Sequence, residues 1–259
     1  MKYLQAIFLC LMMPIMVMAE NWDNSYKQVE QSIRMPQFAD RTFNITTYGA
    51  KTDAQASVNQ KAINSAIIAC SKAGGGKVIV PAGTWNTGAI RMLSHVNLVV
   101  EKNATLLFAF VPKLYPIVLT RWEGLDCWNY SPLIYAYKAT DIAITGEGTI
   151  DGNGSNETWW KWCGAPKFGW KEGVGSQKIG RPMLQRWSED GVPVNKRKMG
   201  DGYFMRPQLI NFNQCDGILI EGVTLLRSPF WVIHPLLSQN ITVKRVHIAN
   251  DGPNGDGCD

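Results

Sequence analysis

Histidine and cysteine are scarce in this sequence. Its 259 residues include three histidines and six cysteines, and the cysteines are widely scattered without a CxxC pair. Zinc sites and disulfide-rich domains both need such residues at close, regular spacing. The sequence therefore predicts neither a structural metal site nor a dense disulfide framework, and it indicates no cofactor. A single disulfide is compatible with an oxidising compartment.

Long apolar runs are absent beyond the first residues. An apolar stretch covers residues 3–18, and small residues up to Ala19 form a plausible cleavage site. This pattern predicts a signal peptide at residues 1–19 and a protein that is secreted or periplasmic, with no membrane attachment after cleavage. A transmembrane anchor is the alternative, but the run is short and is interrupted by Gln5 and Pro14.

Acidic residues do not balance basic ones in one segment. The formal net charge is +5, and between Lys161 and Lys198 there are nine Lys or Arg and three Asp or Glu. Such a segment is either a solvated loop or an electropositive surface that attracts a polyanion. No nucleic-acid-binding motif accompanies it. For an exported protein we expect an acidic polysaccharide as the partner and not nucleic acid.

One helix is predicted near the start, after a polar lead-in at residues 20–41. Apolar residues recur at helical spacing over residues 57–72. The glycines at 74–76 follow this helix instead of opening one, so they predict a helix C-cap turn and not a phosphate loop. A short strand is predicted at Lys77–Pro81.

Short alternating apolar pairs then repeat along the chain. They are Val96-x-Leu98, Ile142-x-Ile144, Ile218-x-Ile220 and Ile241-x-Val243. Each pair follows a residue suited to a turn, namely His95, Asp141, Gly217 and Asn240. The last two pairs are 23 residues apart, and the first two are 46 apart, which we interpret as two coils of 23. No helical pattern lies between the pairs, so the repeat predicts an all-β parallel β-helix over residues 42–259. A β-sandwich is the alternative.

Residues 152–206 interrupt this repeat. The stretch is rich in Gly, Trp and Lys, and it is much longer than an ordinary connection. Its tryptophans suit either stacking on sugar rings or packing against the side of the β-helix. For Trp159 and Trp160 we expect packing against the β-helix.

Several segments, in order along the chain, resemble the polygalacturonases of glycoside hydrolase family 28. They are Lys77-Val78-Ile79-Val80-Pro81-Ala82-Gly83-Thr84-Trp85, Gly146-Glu147-Gly148-Thr149-Ile150-Asp151-Gly152, Ser228-Pro229-Phe230-Trp231-Val232-Ile233-His234 and Asn254-Gly255-Asp256-Gly257-Cys258-Asp259. The Ser-Pro-Phe-Trp form is more similar to bacterial exo-acting members. The resemblance implies a right-handed parallel β-helix, an N-terminal capping helix and hydrolysis of α-1,4-galacturonosyl bonds in pectin with inversion. It also implies a monomer.

The resemblance also implies site residues. Asn254 and Asp256 match the family's Asn-x-Asp segment, with Gly255 where Thr is common, and Asp259 occupies an acidic position just beyond. Asp256 is then the general base, and Asn254, Asp259 and His234 are substrate-binding candidates. The family's adjacent aspartate pair, which supplies the general acid, its Gly-His pair and its Arg-x-Lys segment are not matched in these 259 residues. The sequence therefore resembles a truncated member, expected to be nearly inactive alone.

Other functions remain open at this point. A non-catalytic β-helix that binds acidic polysaccharide or serves as a structural stalk has the same fold. A rhamnogalacturonan-active hydrolase is a close variant. A polysaccharide lyase usually needs calcium held by several carboxylates, and the sequence shows no such cluster.

Overall fold

The computed structural model describes residues 22–259, so the predicted signal peptide lies outside the described residues. The chain divides into two compact units, Met1–Arg34 and Met35–Asp259. In the first unit, residues 22–32 form a helix, α1, whose side chains are exposed. In the described residues no helix is long and apolar enough to cross a membrane.

The second unit is a parallel β-helix built from three sheets. Sheet A contains β1 (Thr42–Asn44), β2 (Gly76–Val80), β5 (Val96–Val100), β10 (Thr140–Gly146), β13 (Asp216–Glu221) and β16 (Gln239–Lys244). Sheet B contains β3 (Gly83–Thr87), β6 (Ala104–Phe108), β11 (Thr149–Asp151), β14 (Thr224–Leu226) and β17 (His247–Ala249). Sheet C contains β4 (Ile90–Arg91), β9 (Ile134–Tyr137), β12 (Ile210–Asn213) and β15 (Ile233–His234). All neighbouring strands in these sheets run parallel, which confirms the predicted fold class.

The interior of the β-helix is filled by stacked aliphatic side chains. Ile218 lies opposite Ile241 on the next coil, as the 23-residue period predicts. The residues that precede the repeated pairs turn the chain into sheet A with left-handed backbone angles: His95, Asp141, Gly217 and Asn240 have φ of 63°, 51°, 75° and 52°. Asp, Asn and Gly adopt this conformation at lower cost than most residues, and His is also enriched there.

The interpretation of the 46-residue interval as two coils is wrong. Leu98 pairs directly with Ile144, so these strands belong to successive coils. The additional length is mostly an antiparallel hairpin of β7 (Ile117–Trp122) and β8 (Leu125–Tyr130). A sequence interval alone does not distinguish two coils from one coil with an insertion.

The predicted helix is α2 (Ala56–Lys72), which buries Ile63, Ile67 and Cys70 in the interior at the N-terminal end. The glycines after it form the predicted turn: Gly75 N–H donates to the carbonyl of Cys70 at 2.9 Å, and Gly75 has a φ of 96°. The helix therefore covers the apolar end of the first coils.

Residues 152–206 contain helical elements that the sequence pattern does not predict. They contain α3 (Gln177–Glu189) and short 3-10 helices at Trp160–Cys163, Pro166–Phe168 and Val194–Lys196. Trp159 is fully buried in an aromatic cluster with Phe110 and Tyr115, at ring-centroid distances of 4.8 and 5.3 Å. This tryptophan packs against the β-helix as expected.

Two insertions leave the β-helix at the same corner. The β7–β8 hairpin and the segment 152–206 both connect sheet B to sheet C, on successive coils. They form a second apolar cluster outside the β-helix, which includes Trp122, Leu184 and Phe230. The turns after β14 and β17 also leave sheet B at this corner. The connections at residues 228–232 and 250–257 therefore lie along the same edge of the β-helix as the two insertions.

Candidate active site

The segment 256–259 continues sheet C by one more strand position. Val232 N–H donates to the carbonyl of Asp256 at 2.9 Å, and Ile233 N–H donates to that of Gly257 at 3.1 Å. Asp259 N–H donates to the carbonyl of Ile233 at 2.9 Å, which completes a parallel bridge between Ile233 and Cys258. In this register Asp259 lies opposite His234 and Asp256 lies opposite Trp231. The side chains of Asp256 and Asp259 are both exposed.

A column of polar side chains follows the outer face of sheet C. Successive strands place Arg91 opposite Tyr135, Tyr135 opposite Asn211, and Asn211 opposite His234. The alternate positions, such as Ile233, point into the core. Asp259 extends this column, so two of the predicted site residues, His234 and Asp259, lie together on adjacent coils.

The imidazole of His234 is buried, at 5% exposure, and is held in one orientation. The Asn211 side-chain amide lies 2.9 Å from Nδ1 of His234 and also donates to its carbonyl at 2.9 Å. Because an amide nitrogen only donates, Nδ1 is the acceptor and Nε2 carries the proton. Burial lowers the pKa of His234, an effect that nearby Arg121 reinforces and Asp259 partly opposes. His234 is therefore neutral near pH 7, with Nε2–H as its hydrogen-bond donor.

An aromatic stack adjoins this histidine. Trp122 of the hairpin stacks on Phe230 at 5.1 Å, Phe230 stacks on Trp231 at 4.8 Å, and Trp231 meets the edge of His234 at 5.1 Å. Trp231 is only partly buried. Its ring therefore offers an apolar surface beside Asp256, of the kind that stacks on the CH face of a sugar.

The loop after β17 is held from two directions. Trp160 packs against Gly252, where a Cβ would come within 2.4 Å of the indole Nε1, and that Nε1–H donates to the carbonyl of Ser228 at 2.8 Å. Arg206 donates from Nη1 to the carbonyl of Pro253 at 2.7 Å and from Nη2 to Oδ1 of Asn254 at 2.8 Å. The insertion 152–206 thus supplies both supports of the Asn254–Asp256 turn.

The sequence predicts Asn254, Asp256, Asp259 and His234 as site residues, but it does not single out Arg206, which contacts Asn254. The signal was present, because Arg206 is the only charged residue between Tyr203 and Asn213. A lone cation in an apolar stretch suggests a buried, hydrogen-bonded group.

The basic residues of Lys161–Lys198 are mostly exposed along this edge. Lys196 and Lys198 are exposed, whereas Arg197 is half-buried and donates to the carbonyl of Val192 at 2.7 Å and to Ser188 Oγ at 3.3 Å. Arg197 therefore braces its own segment, and the two lysines on either side of it carry the accessible charge. The backbone of Lys198 also forms an isolated parallel β-bridge with that of Trp128 in the hairpin.

Within the described residues, no group of three or more His, Cys, Asp or Glu could hold a metal ion. The five cysteines of this part of the chain, Cys70, Cys127, Cys163, Cys215 and Cys258, are all free thiols. The site is thus defined by carboxylates, amides, an imidazole and an aromatic stack.

Together, the fold and this site define a parallel β-helix protein with an acidic loop on the outer face of one sheet. No protein-family model matches the chain. A hyperthermoactive exopolygalacturonase from Thermotoga maritima matches 90% of this chain and 52% of its own, with a TM-score of 0.86 and 40% identity. An exo-poly-alpha-D-galacturonosidase from Dickeya chrysanthemi is 34% identical over 256 residues, 85% of this chain. A probable polygalacturonase from Vitis vinifera is 29% identical over 230 residues, 83% of this chain.

These similarities place the chain in glycoside hydrolase family 28, the polygalacturonase family. The chain spans 39% and 38% of the lengths of the Vitis and Dickeya relatives that it matches.

Proposed function

We propose that this protein is a pectin-active hydrolase of the polygalacturonase type, which cleaves α-1,4-galacturonosyl linkages with inversion. The observation that carries the proposal is the pairing of residues 256–259 with Val232–Ile233, which sets an exposed Asp256 beside Trp231 and His234. The kinship with an exopolygalacturonase and an exo-poly-alpha-D-galacturonosidase supports the same substrate class.

In the proposed reaction, Asp256 is the general base. An inverting hydrolase needs one ionised carboxylate to take a proton from the attacking water and one protonated carboxyl to donate to the leaving oxygen. The side chain of Asp256 is exposed and therefore accessible to water. Asn254 and the Nε2–H of His234 supply hydrogen bonds to substrate oxygens, and the Trp231 ring supplies an apolar contact. Asp259 also faces the bound sugar.

The basic edge would attract the polymer. Polygalacturonate carries one carboxylate per sugar, and exposed lysines of the insertion raise its local concentration at this face of the protein. This attraction is screened by salt, over a length of about 8 Å at physiological ionic strength. We therefore expect weak binding of short oligomers that falls steeply as salt is added.

The binding test compares trigalacturonate with a neutral galactose trimer by calorimetry at low and moderate salt. Lys196→Gln combined with Lys198→Gln should weaken trigalacturonate binding several-fold at low salt, while Arg197 stays in place to keep the segment folded. The matched control is Lys51→Gln combined with Lys61→Gln. It removes the same number of positive charges from exposed positions on the N-terminal side of the protein. Equal loss in both double variants, or equal affinity for the neutral trimer, would contradict recognition of the uronate at this edge.

We further propose that the site takes the end of the polymer. The β7–β8 hairpin lies across the outer face of sheet C, where Tyr135 Oη donates to the carbonyl of Leu119 at 2.7 Å and Gln208 Nε2 donates to that of Arg121 at 3.0 Å. A polymer following the column from His234 towards Arg91 meets this hairpin. Affinity counted per polymer chain should then be independent of chain length, whereas an internal site would bind longer chains more tightly in proportion to their length.

Turnover is a separate question from binding. The 259 residues contain the position matched to the base, and no position in them is matched to the acid. This polypeptide by itself should therefore bind oligogalacturonate and release negligible reducing sugar, because general acid–base catalysis commonly contributes about 10²–10⁴-fold. Robust release that Asp256→Asn abolishes would show that another carboxyl of these residues serves as the acid.

We propose that the protein is exported and acts as a monomer on pectin outside the cytoplasm. The support is the apolar, signal-like pattern of residues 1–19 and the extracellular nature of the polymer. N-terminal sequencing of the exported protein should begin at Glu20. Retention of residues 1–19 in the mature protein would contradict the cleavage.

A further inference from the structure

Arg206 is a fully buried cation in contact with the candidate site. Its guanidinium donates from Nε to Oε1 of Gln177 at 3.1 Å, and from Nη1 to the carbonyls of Pro229 and Pro253 at 2.8 and 2.7 Å. Its Nη2 donates to Oδ1 of Asn254 at 2.8 Å. Arg206 therefore ties three separate segments together: the start of α3, the turn after β14 and the turn after β17.

Within the part of the chain that the structure describes, this cation has no carboxylate partner. None of the ion pairs within residues 22–259 includes Arg206, and the side chain is 0% exposed. Burial lowers the pKa of Arg206 to about 10, and Cys163 and Glu123 only partly oppose that effect. An unpaired charge in the interior is unfavourable, so a neutral side chain would serve better if packing were the only requirement.

The bond to Asn254 fixes how that residue faces the solvent. Because Oδ1 accepts from Arg206, the amide NH₂ group points away from the guanidinium, and Asn254 is exposed. The backbone of Asn254 is in the left-handed region, at a φ of 55°, so the turn itself is tightly bent. Asn254 thus presents two N–H donors outward, two positions before Asp256.

We propose that Arg206 is a positioning residue for the candidate site: it holds the Pro253–Asn254 turn and directs the Asn254 donors towards an acidic sugar. The role in sugar binding rests on the proposed function, whereas the positioning of Asn254 does not. Arg206 also stacks over Phe230, with Cζ 4.9 Å from the ring centroid, so it connects the insertion to both the aromatic stack and the Pro253–Asn254 turn.

The first test needs no substrate. Asn254→Asp places a carboxyl group beside the unpaired guanidinium, so its pKa, followed by NMR, should fall at least about one unit below the ordinary aspartate value. Thermal stability should rise. A matched Asn156→Asp variant, at an exposed position of the insertion, should show an ordinary pKa and no stabilisation. An ordinary pKa at position 254 would overturn the proposal.

The second test removes the planar guanidinium group of Arg206 but keeps its positive charge. Arg206→Lys cannot satisfy the same four acceptors, so backbone amides of residues 254–259 should exchange with deuterium about tenfold faster while those of β13 stay protected. Arg181→Lys is the control, since Arg181 lies on the same insertion, is half-exposed and pairs with Glu123 of the hairpin turn. Unchanged exchange at residues 254–259, or equal acceleration throughout the β-helix, would overturn a specific positioning role.

The third test links position to ligand. If Arg206 acts through Asn254, trigalacturonate affinity should fall equally in Arg206→Lys, in Asn254→Ala and in the double variant. Additive losses would overturn action through Asn254. No binding by the unaltered protein would instead contradict the proposed function, and the first two tests would still decide the positioning role.

Discussion

The ion pair between Asp151 and Arg227 stabilises the corner of the β-helix from which the insertion 152–206 begins. Arg227 donates from Nε and Nη2 to the two carboxylate oxygens at 2.9 and 2.5 Å, and Asn153 N–H donates to Oδ1 at 2.8 Å. Asp151 is 7% exposed. Asp151→Asn keeps the volume but removes the charge and turns one acceptor into a donor that faces the guanidinium.

The expected loss follows from these contacts. A hydrogen bond to a charged group contributes about 1.5–3 kcal/mol, and leaving a buried partner unsatisfied adds to the loss. The Arg227 side chain is 45% exposed, so water compensates part of it. We expect a decrease of about 2 kcal/mol in the free energy of unfolding. For a domain of this size that corresponds to a fall in Tm of roughly 4–8 °C.

Thermal unfolding followed by circular dichroism measures this shift. The control is Asp126→Asn, since Asp126 also pairs with an arginine, Arg121, but its side chain is 42% exposed. That change should lower stability by less than about 1 kcal/mol, as surface ion pairs do. If the two variants lose the same stability, the reasoning from the burial of Asp151 is refuted.

Two further changes test the histidine and the coil packing. Because burial lowers the pKa of His234, the unfolded state takes up a proton at higher pH than the folded state, so the free energy of unfolding should fall as the pH drops below about 6.5. His234→Gln should reduce that decline, as measured by urea unfolding between pH 7.5 and 5. An identical pH profile in the variant and the unaltered protein would contradict this prediction. Gly146→Ala should cost several kcal/mol, because its Cβ would lie 2.0 Å from the carbonyl oxygen of Val100 at a φ of 114°. Gly173→Ala, at a φ of 83° with nothing within 4 Å, should cost only about 1–2 kcal/mol, and equal losses would show that the clash is relieved.

The β-helix could be predicted from the sequence because its period is local. Each coil repeats the same turn residue and apolar pair, so Ile218 and Ile241 identify neighbouring coils directly. The hairpin could not be found this way, because Ile117–Trp122 and Leu125–Tyr130 alternate like any other strands and their partners are each other. Likewise α3 has a polar, lysine- and arginine-rich sequence, and its burial depends on contacts with the hairpin, which the sequence does not show.

The candidate site was partly predictable for a similar reason. Asn254 and Asp256 lie in a short segment with a recognisable order of residues, whereas the groups that hold them come from far along the chain. Arg206 is 48 residues from Asn254, and Trp122 is 108 residues from Phe230. Such contacts depend on the corner of the β-helix from which each insertion leaves. That corner is determined by the position of the insertion within its coil and not by the local sequence.

The shared corner explains how one fold carries a specific site. Stacked aliphatic residues stabilise the coils whatever the turns contain, so the connections from sheet B to sheet C are free to lengthen. Here successive coils use that freedom to add the hairpin, the insertion 152–206, the aromatic turn at Phe230–Trp231 and the Asn254–Asp256 loop. Because coils are one strand spacing apart, about 4.8 Å, these four connections lie side by side along one edge and contact each other. The buried cation of Arg206 is stable in this layer only because the carbonyls of two neighbouring turns and the Asn254 amide accept its hydrogen bonds. The same contacts that satisfy the guanidinium therefore also set the orientation of the site.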